Sequence, residues 1–268
     1  MTMRLTISHE TRYNYDEPVA YGLQQIRLRP KSRAGQTVLS WDITVEGGRV
    51  ETSFEDQHSN HVSLVSIEPG TDHLIIRCDG EVETEDRSGV VGSHGGWAPL
   101  WLFNRSTPAT KAGPSVRALV RALGTDYDTD LVRLHALSGL IADRVQYEIG
   151  ITDAETTAEQ ALDAEHGVCQ DHAHIFVSAA RLMGFPARYV SGYLMMNDRI
   201  DQEAGHAWAE AHVDGLGWVG FDVSNCLSPD ARYVRVATGL DYGEAAPLSG
   251  LILGETAASM AVALQVQQ

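Results

Sequence analysis

The sequence is poor in cysteine. Only Cys78, Cys169 and Cys226 occur in 268 residues, and so sparse and odd a set indicates a reducing compartment rather than a disulfide-stabilised fold. Each cysteine is therefore expected to be a free thiol. A lone cysteine is most often a small buried apolar side chain, which is the interpretation for Cys78 and Cys226. Cys169 is the exception, because the residues around it predict a reactive thiol.

Long apolar runs and an excess of basic residues are also lacking. No stretch is long enough to span a bilayer, and the first 15 residues do not form the apolar core of a secretory signal. A soluble, cytoplasmic protein without a membrane partner is expected. The 36 Asp and Glu residues outnumber 20 Lys and Arg, giving a formal charge of −16. Because nucleic-acid binding depends on basic residues that neutralise phosphates, no nucleic-acid partner is predicted.

The patterns that are present divide the chain into two parts. Residues 4 to about 90 are rich in β-branched and aromatic residues, broken by turns with Gly, Pro and Asp, which predicts a β-sandwich or meander. A glycine-rich segment, RSGVVGSHGGWAPL, then interrupts all periodicity. We therefore predict a β-rich N-terminal domain over residues 1–100 and a second domain over residues 101–268.

The second part opens with helical periodicity. Apolar residues spaced by three and four from Leu131 onward predict a helix within residues 115–147. Another helix is predicted from Cys169 to Met183, ended by Gly184. Cys169 would then lie in the first turn, where free backbone N–H groups and the helix dipole favour a thiolate over a thiol. The same N–H groups could bind the oxyanion of a tetrahedral intermediate.

Two later segments, HAWAEAHV and GWVGFDVS, flank an Asp-Gly turn and predict a hairpin. If Val213 pairs with Gly217, His206 and Asp222 are diagonal neighbours on one face, roughly 7 to 8 Å apart at the backbone. An imidazole and a carboxylate can bridge that gap, whereas a slip of one residue would separate them. Asp222 would then fix the tautomer of His206, and the other ring nitrogen would face Cys169.

Four further residues are predicted to line the cleft or to support these three side chains: Gln170, Trp208, Glu210 and Asn225. Trp208 is expected in the core or the cleft wall, where it could shield the site from water. Glu210 shares a strand face with His206, and two interpretations stay open, a hydrogen-bond acceptor beside the site or a solvated carboxylate. Gln170 lies in the first helical turn beside Asp171, which is expected to complement the helix dipole.

A metal site is the alternative interpretation of the histidines around Cys169. His166, Cys169 and His172 are spaced by three residues, and Cys and His are the usual zinc ligands. Paired C-x-x-C units are absent from the sequence, however, and His174 would point away from His172 on a helix. No metal ion and no cofactor are therefore predicted.

The string TTAEQALDAEHGVCQDHAHIFVSAARLMGFPARYVSGYL, followed by GHAWAEAHVDGLGWVGFDVSN, resembles the transglutaminase-like superfamily, specifically its bacterial group described as cysteine proteases. In that group G-V-C-Q-D supplies the nucleophile, H-A-W the histidine and F-D the aspartate. These correspond to Cys169, His206 and Asp222. HETRYNYDEPV resembles the group's N-terminal region and YVRVATGLDYGEAAPLSG its closing segment, so the resemblance spans almost the whole chain.

The resemblance implies an α+β fold, with a papain-like cysteine-enzyme core and an appended N-terminal antiparallel β domain. It also implies a Cys-His-Asp triad acting on amide bonds of peptides or glutamine side chains, with a protein or peptide as substrate. Hydrolysis is favoured, since the group is named for proteases and no calcium loop is recognisable. Amine transfer to glutamine, as in a transglutaminase, and a non-catalytic peptide-binding or scaffolding module stay open as alternatives. The oligomeric state is not indicated.

The chain departs from the group's pattern at two places. The group often reads F-D-P-T-N where residues 221–225 read FDVSN, and it often has an aromatic residue in place of His172. Both departures leave the three predicted catalytic side chains intact. A changed substrate pocket is therefore expected rather than a lost triad.

Overall fold

The structure is a computed structural model that describes residues 2–254 and 257–268. Its strands over these residues are β1 (Thr2–Val19), β2 (Tyr21–Arg29), β3 (Gln36–Glu46), β4 (Gly48–Glu55), β5 (His61–Ile67), β6 (Thr71–Glu85), β7 (Val90–Gly92), β8 (Gln146–Tyr147), β9 (His166–Gly167), β10 (Ala187–Leu194), β11 (Asp201–Gln202), β12 (His206–Val213), β13 (Gly217–Phe221), β14 (Tyr233–Gly239), β15 (Leu248–Leu253) and β16 (Ala258–Gln267). Its α-helices are α1 (Pro114–Leu123), α2 (Asp130–Arg144), α3 (Ala158–Ala164), α4 (Cys169–Leu182) and α5 (Tyr242–Ala245), and a 3₁₀ helix covers Leu100–Asn104.

The N-terminal part folds as two antiparallel sheets that share a core. One sheet has the order β11-β16-β1-β6-β3 and the other β15-β2-β5-β4. Strand β2 buries every second residue, as expected of a strand with one face on a core. Apolar side chains of both sheets form one buried cluster, which includes Leu5, Ile7, Ile26, Val65 and Leu74. This confirms the antiparallel β character predicted for this region.

The last strands of the chain complete these N-terminal sheets. Strand β16 pairs with β1, and β15 pairs with β2, both antiparallel. Leu264 and Val266 of β16 are buried in the core that the two sheets share. The division at residue 100 stays a prediction, but β15 and β16, which lie after it in the chain, pair with β2 and β1, which lie before it.

Replacing Leu264 by alanine should therefore destabilise the whole fold. Leu264 is 1% exposed, and truncating a buried leucine to alanine costs about 2 to 5 kcal/mol. Urea unfolding of the variant checks this, with Ser259→Ala, at an exposed position of the same strand, as the matched control that should change stability by less than about 0.5 kcal/mol. Equal stability of the two variants would show that β16 is not part of the cooperative core.

The second part packs its helices on a third antiparallel sheet, of order β14-β10-β12-β13-β7. Helix α4 is buried along most of its length and lies against β12 in a core shared with α1, α2 and α3. The helix predicted within residues 115–147 is in fact two helices. Gly124, with φ +73°, ends α1, and the Thr129 hydroxyl accepts a hydrogen bond from Val132 N to start α2. The α+β class is thus confirmed.

Among the described residues, no helix has both the length and the apolar character needed to cross a membrane.

Candidate active site

Helix α4 begins at Cys169, as the sequence predicts. Val168 is extended before it, and Gly184, with φ +96°, follows its end. Asp171 caps the first turn, since its Oδ2 accepts hydrogen bonds from Val168 N at 2.8 Å and Thr152 Oγ1 at 2.7 Å. A Cβ on Gly167 would lie 2.7 Å from the Asp171 Cβ, so only glycine fits before this turn. Cys169 itself is partly exposed and borders a cleft at the helix N-terminus.

The hairpin that carries the histidine has the predicted register. Val213 lies opposite Gly217, and the pairing of β12 with β13 continues to Ala209 opposite Phe221. Beyond this pair, His206 Nε2 lies 2.6 Å from Asp222 Oδ2. The imidazole and the carboxylate are therefore hydrogen-bonded across the end of the hairpin.

Asp222 is fully buried and receives several hydrogen bonds. Its Oδ2 accepts from Tyr233 Oη at 2.6 Å and from Asn225 Nδ2 at 2.8 Å, and its Oδ1 accepts from Asn225 N at 3.2 Å. Burial alone would raise the pKa of Asp222, but bonds from His206, Tyr233 and Asn225 hold it below its usual value. Asn225 thus contacts the carboxylate. Tyr233 was missed, because nothing in the sequence pairs β14 with this loop.

His206 links this carboxylate to the thiol. Burial lowers the pKa of His206, but hydrogen bonds and charge from Asp222 and Cys169 outweigh it and raise the pKa to about 10. Since Nε2 is bound to Asp222, the other ring nitrogen is left for the sulfur of Cys169. An imidazolium between a carboxylate and a sulfur stabilises the thiolate and can later donate its proton. These are the two tasks of the histidine in thiol catalysis.

The raised pKa of His206 predicts a pH-dependent contribution to stability. Because the folded-state pKa of about 10 exceeds the unfolded value of 6.5, this contribution is complete below about pH 6.5 and is lost as the pH rises towards 10. The free energy of unfolding of the wild type, relative to His206→Gln, should shrink by at least about 1 kcal/mol over this interval. Denaturant titrations at several pH values measure the difference, and a constant difference contradicts the charged pairing.

Trp208 forms a wall behind the histidine. Its ring lies nearly parallel to that of His206, with centroids 6.2 Å apart, and meets Tyr233 edge-on at 5.4 Å. Trp208 is 3% exposed. Trp208 thus lies in a buried cluster beside the bonds of His206 and Tyr233 to Asp222, in the core rather than in the wall of the cleft.

Neither open interpretation of Glu210 describes its position. Glu210 is fully buried, so it is not a solvated carboxylate, and its partners are two arginines rather than His206. Arg188 Nε lies 2.6 Å from its Oε2, and Arg235 Nε lies 2.7 Å from its Oε1. Arg188 stands directly opposite Glu210 on β10, and Arg235 comes from β14. Glu210 thus joins three strands of the sheet that carries the histidine.

Gln170 lines the open side of the site. It borders the same cleft as Cys169 and His206, and its Nε2 donates to the carbonyl oxygens of Ala154 at 3.3 Å and Asp153 at 3.4 Å. The amide is thereby fixed beside Cys169 on the cleft wall.

The two departures from the group's pattern contact each other. His172 Nδ1 lies 2.8 Å from Ser224 Oγ, and its Nε2 lies 3.0 Å from Val145 O. This pair ties the helix of Cys169 to the loop after Asp222. His172 is therefore a buried connector, not a cleft residue, and its substitution does not reshape the cleft directly.

The metal interpretation finds no support in the described part of the chain, where no group of three His, Cys, Asp or Glu side chains is placed to hold an ion. His174 is fully buried, and its Nε2 accepts a hydrogen bond from Tyr242 N at 3.0 Å. Burial lowers the pKa of His174 to about 4. It is thus a neutral core histidine.

Two family models match the sequence. The transglutaminase-like superfamily model matches residues 117–223, which include Cys169, His206 and Asp222. The model of the bacterial transglutaminase-like N-terminal region matches residues 5–83. The two matches fall on the two parts that the fold distinguishes.

Similar chains extend over the full length. An uncharacterized protein of Mycobacterium leprae (strain TN) is 26% identical and aligns with 98% of this chain and 98% of its own. An uncharacterized protein of Mycobacterium tuberculosis (strain H37Rv) is 27% identical over 94% of this chain and 88% of its own. A solved structure, described as a "Putative Cysteine Protease from Cytophaga hutchinsonii", has a TM-score of 0.79 at 20% identity and covers 100% of this chain and 92% of that one. At this identity the likeness concerns the fold.

Proposed function

This chain belongs to the transglutaminase-like superfamily and carries the bacterial N-terminal region of that family, and from this premise we propose that it catalyses thiol-dependent acyl transfer at amide bonds. Cys169 is the nucleophile, His206 the general base and acid, and Asp222 the residue that orients the imidazole. One observation carries the proposal, namely that the His206 ring bonds Asp222 at 2.6 Å and borders the same cleft as Cys169.

The reaction follows from these positions. The thiolate of Cys169 attacks the amide carbonyl carbon, and the oxyanion lies near the first-turn N–H groups of α4, which have no acceptor within the helix. The carbon–nitrogen bond then breaks, and the amine leaves with the proton of the His206 imidazolium. His206 next takes a proton from the acceptor, which attacks the thioester and releases the acyl product with return of the thiolate. Water as acceptor gives hydrolysis, and a primary amine gives transamidation.

Hydrolysis is the proposed outcome. The cleft that holds Cys169 and His206 has an open mouth, and an acyl-enzyme that water can reach is hydrolysed unless closure excludes water. The description of the structural neighbour names a protease, which is consistent with this outcome. The substrate is accordingly a protein or peptide.

A single incubation tests both the reaction and its acceptor. Wild type and Cys169→Ala are each mixed with casein, a peptide library and an isotope-labelled primary amine, and the products are analysed by mass spectrometry. New peptide termini that require Cys169 are the expected result. Amine-labelled glutamines in their place would make the protein a transglutaminase. Identical products from both proteins would contradict acyl transfer and favour a binding module.

A further inference from the structure

The cleft beside Cys169 is built from both parts of the chain. It encloses about 980 Å³, its open mouth included, and Cys169, Gln170 and His206 border it from the core. Other lining residues come from the N-terminal sheets, among them Tyr13 of β1 and Met260 of β16. Tyr13 and Met260 face each other across the strand pair. The N-terminal part therefore contributes directly to the site that would hold the substrate.

Apart from Cys169 and His206, the cleft wall is mostly apolar and has no charged side chain among the described residues. Although the chain has 36 acidic and 20 basic residues, none of the described residues that line the cleft is Asp, Glu, Lys or Arg. Its surface includes Leu28, Val236, Leu248, Met260 and Val262. Since an unpaired charge is costly to bury in such surroundings, a charged side chain gains nothing from entering.

His9, a polar residue of the cleft wall, is already paired. His9 is 5% exposed and lines the cleft; its Nδ1 lies 2.8 Å from Tyr193 Oη and its Nε2 2.9 Å from Thr11 Oγ1. Burial lowers the pKa of His9 to about 4, so the ring is neutral at pH 7. Both of its nitrogens are engaged, and it presents neither a charge nor a free hydrogen-bonding atom to a ligand.

We infer that this cleft is a specificity subsite that binds a bulky, uncharged apolar side chain of the acyl donor, adjacent to the carbonyl that Cys169 attacks. The inference rests on the proposed acyl transfer at Cys169. Apolar side chains contributed by three sheets remove such a side chain from water, which is the main source of affinity for this class of group. The substrate residue next to the cleaved bond is accordingly aromatic or branched aliphatic.

Chloromethyl ketones of N-acetylated amino acids test the subsite without a known substrate. The probes carry Phe, Leu, Ala, Lys or Glu side chains, and mass spectrometry follows alkylation of Cys169 in the full-length protein. Each rate constant is divided by that of iodoacetamide on the same protein, which cancels differences in the thiol itself. The Phe and Leu probes should react at least about 10-fold faster than the Ala probe, and the Lys and Glu probes should be the slowest.

Two variants locate the effect in the cleft. Met260 is 59% exposed, so Met260→Glu can fold. This variant should lower the relative alkylation rate of the Phe probe about 10-fold and raise that of the Lys probe. Met260→Leu, which keeps an apolar wall, should retain the wild-type order. The subsite is overturned if the wild type is alkylated by all probes at similar relative rates, or if Met260→Glu leaves the order of these rates unchanged. In either case, selective iodoacetamide labelling of Cys169 would still support acyl transfer. If iodoacetamide did not label Cys169 selectively, the proposed acyl transfer itself would be contradicted.

Discussion

Replacing Asp222 by alanine should slow acyl transfer by roughly 10²- to 10⁴-fold, because the imidazole loses the partner that fixes its tautomer and stabilises its charge. The loss should be large here because Asp222 is fully buried and its bond to His206 Nε2 is short, at 2.6 Å. Release of 4-nitrophenol from 4-nitrophenyl acetate measures formation of the acyl-enzyme without any knowledge of the natural substrate.

Two further variants make this result specific. Asp222→Asn keeps an amide oxygen that can accept a hydrogen bond, as in Cys-His-Asn sites, so its rate should fall between those of the alanine variant and the wild type. Asp230→Ala, in the same segment but paired with Arg232, should react at the wild-type rate. Equal rates for wild type and Asp222→Ala would show that Asp222 does not orient the base.

Removing the buried carboxylate of Glu210 should cause the largest loss of stability of any substitution considered. Glu210→Ala leaves two guanidinium groups, each with a side chain only 9% exposed, without their counter-ion. Breaking a buried pair in this way costs about 3 to 5 kcal/mol, since the remaining charge stays desolvated. Because Arg188 comes from the neighbouring strand β10 and Arg235 from β14 beyond it, the sheet carrying His206 should loosen as well.

Chemical denaturation of this variant, beside a control variant with a substitution at an exposed glutamate, tests this prediction. Glu203→Ala removes a carboxylate at an exposed position near the start of the same strand and should change the free energy of unfolding by less than about 0.5 kcal/mol. Replacing the whole cluster by Arg188→Met, Glu210→Leu and Arg235→Met should recover part of the loss, because the two arginine charges are then removed together with that of Glu210. A loss below about 1 kcal/mol for Glu210→Ala would mean that water reaches the arginines.

The parts of the site that could be predicted from sequence are those set by local geometry. The start of α4 at Cys169 follows from glycine before it and apolar spacing after it, and the bond between His206 and Asp222 follows from the register of one tight hairpin. Both depend on residues close together in the chain. The transglutaminase-like motifs fall on these same segments, which is why the three residues could be singled out.

Contacts between distant segments could not be predicted in the same way. Tyr233 reaches Asp222 only because β14 pairs with β10, and Glu210 meets two arginines because three strands lie in one sheet. Tyr13 and Met260 come together because the last strand pairs with the first. No periodicity encodes such pairings. The predicted division of the chain into two parts therefore did not indicate that the N-terminal sheets line the cleft.

The most direct test of the central claim is a comparison of iodoacetamide alkylation of the three cysteines near neutral pH. Cys226 is exposed whereas Cys169 is only partly so, and burial raises the pKa of Cys78 to about 12, so accessibility alone favours Cys226. If His206 holds Cys169 as a thiolate, Cys169 should react at least about 10-fold faster than Cys226, and Cys78 should not react. Labelling of Cys226 as fast as Cys169 or faster would contradict a catalytic thiol at Cys169.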